Sequence, residues 1–177
     1  MKHYYTANEY KELLKQLRIV VTTNEQVNDH IIDFFDKRKI PYINRALKTG
    51  DYSARIDMCP SLGYSVDTYL TDELMIERKN SLSELASSIN NEAFHYELKR
   101  ARNIPNKYLL VEQANGWQGI LEHDYRNKYS EKAFWNTLHT LEVEYGLRIK
   151  FVPKEVMGLE IYTICKAVLD SKILKGG

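Results

Sequence analysis

Two spacings of apolar residues take turns along this chain: short runs that alternate or are unbroken, and longer stretches with a period near 3.6. Ile19-Val20-Val21, Ile40-Pro41-Tyr42-Ile43, the stretch opened by Gly50-Asp51-Tyr52-Ser53-Ala54, Glu73 to Lys79, Lys107 to Glu112 and Arg148 to Val152 have strand character. Between them, Val27, Ile31, Phe34 and Phe35 fall on one stripe of a helix beginning near Asn24. A second helix is expected from about Ser83, its N-cap, carrying Leu85, Ile89, Phe94, Leu98 and Ala101. Ser130 opens a third with Phe134, Leu138, Leu141 and Tyr145, and Gly146 ends it. The last, roughly Glu155 to Ile173, includes Val156, Leu159, Ile164, Val168 and Leu169. A polar N-terminal stretch to Leu17 and a polar connection from Arg55 to Thr71 complete the pattern. Strands alternating with helices predict an α/β domain.

Composition narrows the class without naming a chemistry. A length of 177 residues, 44% hydrophobic with 13 Tyr, suits one globular domain. Such a chain buries roughly 70% of its extended surface. Nothing approaches a membrane-spanning apolar run, and Met1-Lys2-His3-Tyr4-Tyr5 lacks a secretory apolar stretch, so a cytoplasmic setting and no membrane partner are expected. Cys59 and Cys165 are far apart and outside any C-x-x-C spacing, which points to reduced thiols. The five histidines show no ligand-like spacing.

Charge is more informative locally than globally. The net charge of +1 does not advertise attraction to nucleic acid. Three basic clusters interleaved with Tyr could line a groove: Lys37-Arg38-Lys39; Lys99-Arg100-Ala101-Arg102 with Lys107; and Arg126-Asn127-Lys128-Tyr129 with Lys132. Each also suits a solvated helix face or loop. The Tyr125 to Tyr129 segment is the favoured DNA contact, because aromatic and basic residues share a loop before a helix.

The candidate chemistry lies in Gly50-Asp51-Tyr52 and Glu77-Arg78-Lys79. Side chains alternate along a strand, so Glu77 and Lys79 share one face and Arg78 points to the other. Two carboxylates and an ammonium converging at neighbouring strand ends can hold a divalent cation, position a water and offset charge on a phosphate. Hard oxygen ligands suit Mg²⁺ or Mn²⁺. On spacing alone, a solvated strand end with incidental charges remains the competing explanation.

Gly50-Asp51-Tyr52-Ser53, Ile76-Glu77-Arg78-Lys79-Asn80-Ser81-Leu82, Glu84-Leu85-Ala86 and Tyr108-Leu109-Leu110-Val111-Glu112 occur in an order that resembles the XPF-type nuclease domain, within the restriction-endonuclease-like group. The resemblance runs from about Arg18 to Val152 and is closest to compact bacterial and phage members. It implies a restriction-endonuclease-like α/β core, a central mixed sheet flanked by helices, over a single domain 1–177. Residues 1–17 would form an extension, and no helix-hairpin-helix module is expected. It further implies a metal-dependent DNA endonuclease selective for branched, flap or junction DNA, serving repair or recombination. Asp51 and Glu77 would bind Mg or Mn, the Arg78 carbonyl could add a ligand, Lys79 would be catalytic, and Glu25 would orient water or a second ion. DNA contacts are expected from Arg78, Arg100, Arg126, Lys128, Tyr129 and Lys132. A homodimer or a partner protein would extend substrate choice.

The chain departs from the family pattern at named positions. Where the family's first motif ends V-D-x-R-E, this chain has Val21-Thr22-Thr23-Asn24-Glu25, so Thr22 and Asn24 replace an Asp and an Arg. Ser83 stands where an Asp follows E-R-K, although Glu84 comes next, and Ala93 replaces an Arg before Phe94. Losing carboxylates removes charge that would hold a metal. A DNA-binding module with weakened or lost cleavage, or a protein-interaction subunit of a recombination or repair complex, are the alternatives.

Overall fold

In a computed structural model, which describes residues 5–25 and 27–175, strands and helices alternate from end to end. The first four residues of the expected 1–17 extension lie outside the described residues. The rest of it forms α1 (Ala7–Lys15), closed at its start by a capping box between Thr6 and Glu9, and enters β1 (Leu17–Val21). There follow α2 (Asp29–Arg38), β2 (Tyr42–Asn44), β3 (Tyr52–Ile56), β4 (Thr68–Tyr69), β5 (Leu74–Lys79), α3 (Leu82–Ser88), α4 (Glu92–Arg100) and β6 (Asn106–Glu112). The chain continues with α5 (Gln118–Leu121), α6 (Glu131–Tyr145), β7 (Leu147–Val152) and α7 (Met157–Lys175).

The strands build one mixed sheet in the order β2-β1-β3-β5-β6-β7, with β4 paired to β3. β5, β6 and β7 run parallel, which requires crossover helices between them, and α3–α4 and α5–α6 supply these. β3 is antiparallel to both β1 and β5. Alternation then divides the core. Leu74, Ile76 and Leu110 pack toward α2 and α7 with Ile31, Phe35, Ile161 and Leu169. Met75, Leu109 and Val111 pack toward α3, α4 and α6 with Leu85, Leu98, Phe134 and Leu138. This is the α/β core with helices flanking a central mixed sheet.

Four sequence expectations need correction. The helix expected from Ser83 is two helices: Ser81 caps α3 through the Glu84 amide, and Asn91 caps α4 through the Ala93 amide. The five-residue step from Ile89 to Phe94 breaks the helical spacing and puts the apolar face of α4 out of phase with that of α3, which marks the boundary. Ser83 is no N-cap; its Oγ accepts from the Arg126 amide at 3.1 Å. Val27 precedes α2 and is 62% exposed, while Val156 and Leu159 are also exposed, so the apolar stripes of α2 and α7 are narrower than expected. Finally, the polar connection after Arg55 contains β4, too short to produce a sequence pattern.

Candidate active site

Gly50 sets the geometry of the site. Its φ is +72°, and an added Cβ would lie 2.7 Å from Met75 Cγ and 2.8 Å from the Ile76 carbonyl oxygen. Only glycine combines that conformation with so close an approach to β5. Its amide donates to Glu97 Oε1 of α4 at 2.7 Å. The next residue joins three strands: the Asp51 amide donates to the Ile76 carbonyl, and the Thr22 amide donates to the Asp51 carbonyl, both at 2.8 Å.

The antiparallel register pairs Tyr52 with Ile76. One step outward, it brings Asp51 opposite Glu77, at the end where β5 and β6 both finish. Asp51 Oδ2 accepts from the Arg78 amide at 2.8 Å, which aims the carboxylate along the strand ends. Glu77 and Lys79 lie on the α3–α4 face, with Lys79 Nζ 2.5 Å from Glu77 Oε1 and 5.3 Å from the centre of the Phe94 ring. Asp51, Glu77, Lys79, Glu84 and Glu25 line one cleft of about 260 Å³.

Burial dominates the electrostatics. Glu77 and Lys79 are only 5% and 9% exposed. Burial, and then the charge of Glu77, push the Asp51 carboxyl up to about 8 against the pull of the Arg78 amide. Burial likewise raises Glu77, which Lys79 partly offsets. Burial alone would lower the Lys79 ammonium, but the Glu77 carboxylate outweighs it and holds lysine above its ordinary value. The cleft therefore carries an excess of carboxylate that one ammonium does not neutralise.

Such a donor set fits a small hard cation. Two carboxylates and a strand-end carbonyl, with remaining positions for water, match the preference of Mg²⁺ for few protein oxygens. Among the described residues there is no group of three or more His, Cys, Asp or Glu side chains placed to hold a metal. A cation here would thus rest on Asp51 and Glu77.

The Arg78 side chain lies on the opposite face and does not present itself to DNA, contrary to expectation. It is 2% exposed; Nε donates to Glu112 at 2.9 Å, Nη1 to Glu25 at 3.1 Å and Nη2 to the Val27 carbonyl at 2.9 Å. His30 Nε2 lies 2.6 Å from the same Glu112 oxygen. Arg78 thereby ties the segment before α2 to the end of β6. Glu25 reaches the cleft with its carboxylate already paired to Arg78.

The other expected DNA contacts are scattered around this centre. Arg100, Arg126, Lys128 and Lys132 are exposed. The Arg126 amide contact with Ser83 fastens its loop to α3, one residue from Glu84. Tyr129 is half-buried: its hydroxyl lies 2.6 Å from Thr137 Oγ1 and its ring packs on Phe134, so it is committed to the core. Arg100 bonds to the Lys48 carbonyl beside the Gly50 turn.

Sequence reasoning missed Glu97 and passed over Glu84 as a substitute acid. Glu84 Oε2 accepts from the Asn80 amide at 2.7 Å and Oε1 is 4.0 Å from Lys79. Its adjacency to Ser83 was the available signal. Glu97 has none, because its contact with Gly50 spans distant parts of the chain.

A family model described as the ERCC4 domain matches residues 21–162, most of the chain and all of this site. The chain belongs to the ERCC4 domain family. The fold of this ERCC4 domain protein also matches solved structures titled "XPF from Aeropyrum pernix" and "XPF from Aeropyrum pernix, complex with DNA". The first is 18% identical with a TM-score of 0.62, covering 88% of this chain and 68% of that one. The second is 19% identical with a TM-score of 0.59, covering 88% and 65%. The ERCC4 chain thus spans about two-thirds of the length of these structures, and it shares their fold. A search of curated proteins gives no significant match.

Proposed function

We propose that this ERCC4 domain hydrolyses phosphodiester bonds in DNA with Mg²⁺ or Mn²⁺, selecting branched, flap or junction structures. The observation that carries the reading is the gathering of Asp51, Glu77 and Lys79 in one cleft at the strand ends. Asp51 and Glu77 would hold the cation, with the Arg78 carbonyl as a further oxygen. When bound, the cation supplies Lewis acidity and lowers the pKa of water.

The protein's own groups account for the rest. Lys79, kept charged by Glu77, would stabilise negative charge on the attacking oxygen and the phosphate. The Arg78 amide fixes the Asp51 carboxylate. Arg78 itself is a positioning residue that holds Glu25 against the cleft wall.

A second reading, a DNA-binding module with little cleavage, is favoured by one observation: Thr22 and Ser83 stand in place of acids, and among the described residues no third His, Cys, Asp or Glu side chain is placed to join Asp51 and Glu77 around a cation. Labelled duplex, flap, fork and four-way-junction DNA, incubated with Mg²⁺, Mn²⁺ or EDTA, separates the two. The nuclease reading predicts metal-dependent nicks at branched DNA, falling at least about 100-fold in Lys79→Ala and lost in Asp51→Ala. Salt-sensitive binding without nicks, with cutting gained in Thr22→Asp, would support the second.

A further inference from the structure

Beside the candidate active site is a second, larger cavity that plays no part in the chemistry described above. It measures about 740 Å³ and lies between the β2–β3 connection and the end of α4. Arg45, Lys48 and Arg100 line it together with Tyr69, against one carboxylate, Asp72. Its walls are fastened to the active site. Gly50, which precedes Asp51, bonds to Glu97 of α4, and Arg100 of the same helix bonds to the Lys48 carbonyl. The cavity and the Asp51 carboxylate are therefore set by the same turn.

The lining combines charge with flat π surfaces. The Arg45 guanidinium lies 4.1 Å from the centre of the Tyr69 ring. Outside the lining, Arg55 approaches the same ring at 5.6 Å, and Arg100 lies 5.8 Å from the centre of the ring of Tyr96, which is 63% exposed. Guanidinium planes and phenol rings stack with any base, and cations beside them follow a phosphate backbone. A duplex keeps its base faces stacked inside and offers only edges and phosphates, so it can meet the cations but not the stacking faces. An unpaired strand can meet both.

We infer that this cavity, through Arg45, Lys48, Arg100 and Tyr69, binds a short stretch of single-stranded DNA next to the bond to be cut. The inference deepens the nuclease reading by assigning the unpaired arm of a branched substrate to a surface outside the Asp51–Glu77 cleft. Binding is independent of cutting, so the two readings can fail separately.

Fluorescence anisotropy in EDTA, with a labelled 12-nucleotide oligo-dT and a duplex of the same length, tests it. The Arg45→Ala, Arg100→Ala double variant is expected to weaken oligo-dT binding at least about tenfold and duplex binding by a clearly smaller factor, because the duplex loses phosphate contacts alone. It should also flatten the oligo-dT salt slope by about 1.4, as two lost single-strand phosphate contacts require. Tyr69→Leu should weaken oligo-dT binding about fivefold or more. An unchanged melting temperature checks folding of each variant. Absent oligo-dT binding by the native chain, indifference to the substitutions, or equal loss for single strand and duplex would overturn the inference. Arg45-dependent binding by a chain that never cuts DNA would instead leave this subsite standing and remove the nuclease reading.

Discussion

At the scale of single residues, the site is defined by carboxylates held where water is scarce. The Asp51 carboxyl, raised to about 8 by burial and by Glu77, binds a proton in the folded chain more readily than in the unfolded one. Folded protein then holds more protons between about pH 4 and pH 8, so its stability falls as pH rises through that window. A divalent cation on Asp51 and Glu77 would oppose that trend by taking the place of the proton. Thermal melts in EDTA should therefore drop between pH 5 and pH 8, and Mg²⁺ should recover more of the loss at pH 8 than at pH 5. Equal recovery at both would contradict a cation held by these carboxylates. Arg78 provides a separate test, because its guanidinium is buried between Glu25 and Glu112. Arg78→Met leaves Glu25 without its countercharge and Glu112 with His30 as its remaining partner, and should cost about 3–5 kcal/mol in urea denaturation.

At the scale of elements, the Gly50 turn and the β3–β5 register decide whether the residues meet. Gly50→Ala forces a Cβ into Met75 and the Ile76 carbonyl at a positive φ. The expected loss exceeds about 1 kcal/mol, with metal affinity falling as well, measured by denaturation and Mn²⁺ titration. A variant of native stability and affinity would show the turn to be permissive. Much of this level was legible in the sequence. The strands around Val20, Ile76 and Leu109 follow from β-branched and apolar runs, and Ser130 with Gly146 bounds α6 as the capping pattern requires. The α3–α4 break leaves one mark in the sequence, the five-residue step from Ile89 to Phe94 that shifts the apolar stripe, and a single-helix reading overlooks it. β4, held by two residues of pairing to β3, was not legible.

At the scale of the whole molecule, the sheet gathers residues that lie far apart along the chain. The order of strands brings the ends of β1, β3, β5 and β6 to one rim, which places Thr22, Asp51, Glu77 and Glu112 within one structural unit. Local motifs around Asp51 and Glu77 were readable, and alternation separated Arg78 from its neighbours. The partners of Arg78 and the role of Glu97 arise only from tertiary packing, so no spacing along the sequence announces them. A basic residue within a nuclease motif suggests a DNA contact, and only the folded chain reveals that Glu25 and Glu112 bury the Arg78 side chain. Among the described residues no helix is long and apolar enough to cross a membrane. The most direct measurement is calorimetric titration of Mn²⁺ into the native chain, Asp51→Asn and Glu77→Gln at pH 8. One saturable site in the native chain, weakened at least about tenfold in each variant, is the predicted result; equal Mn²⁺ binding by all three would contradict it.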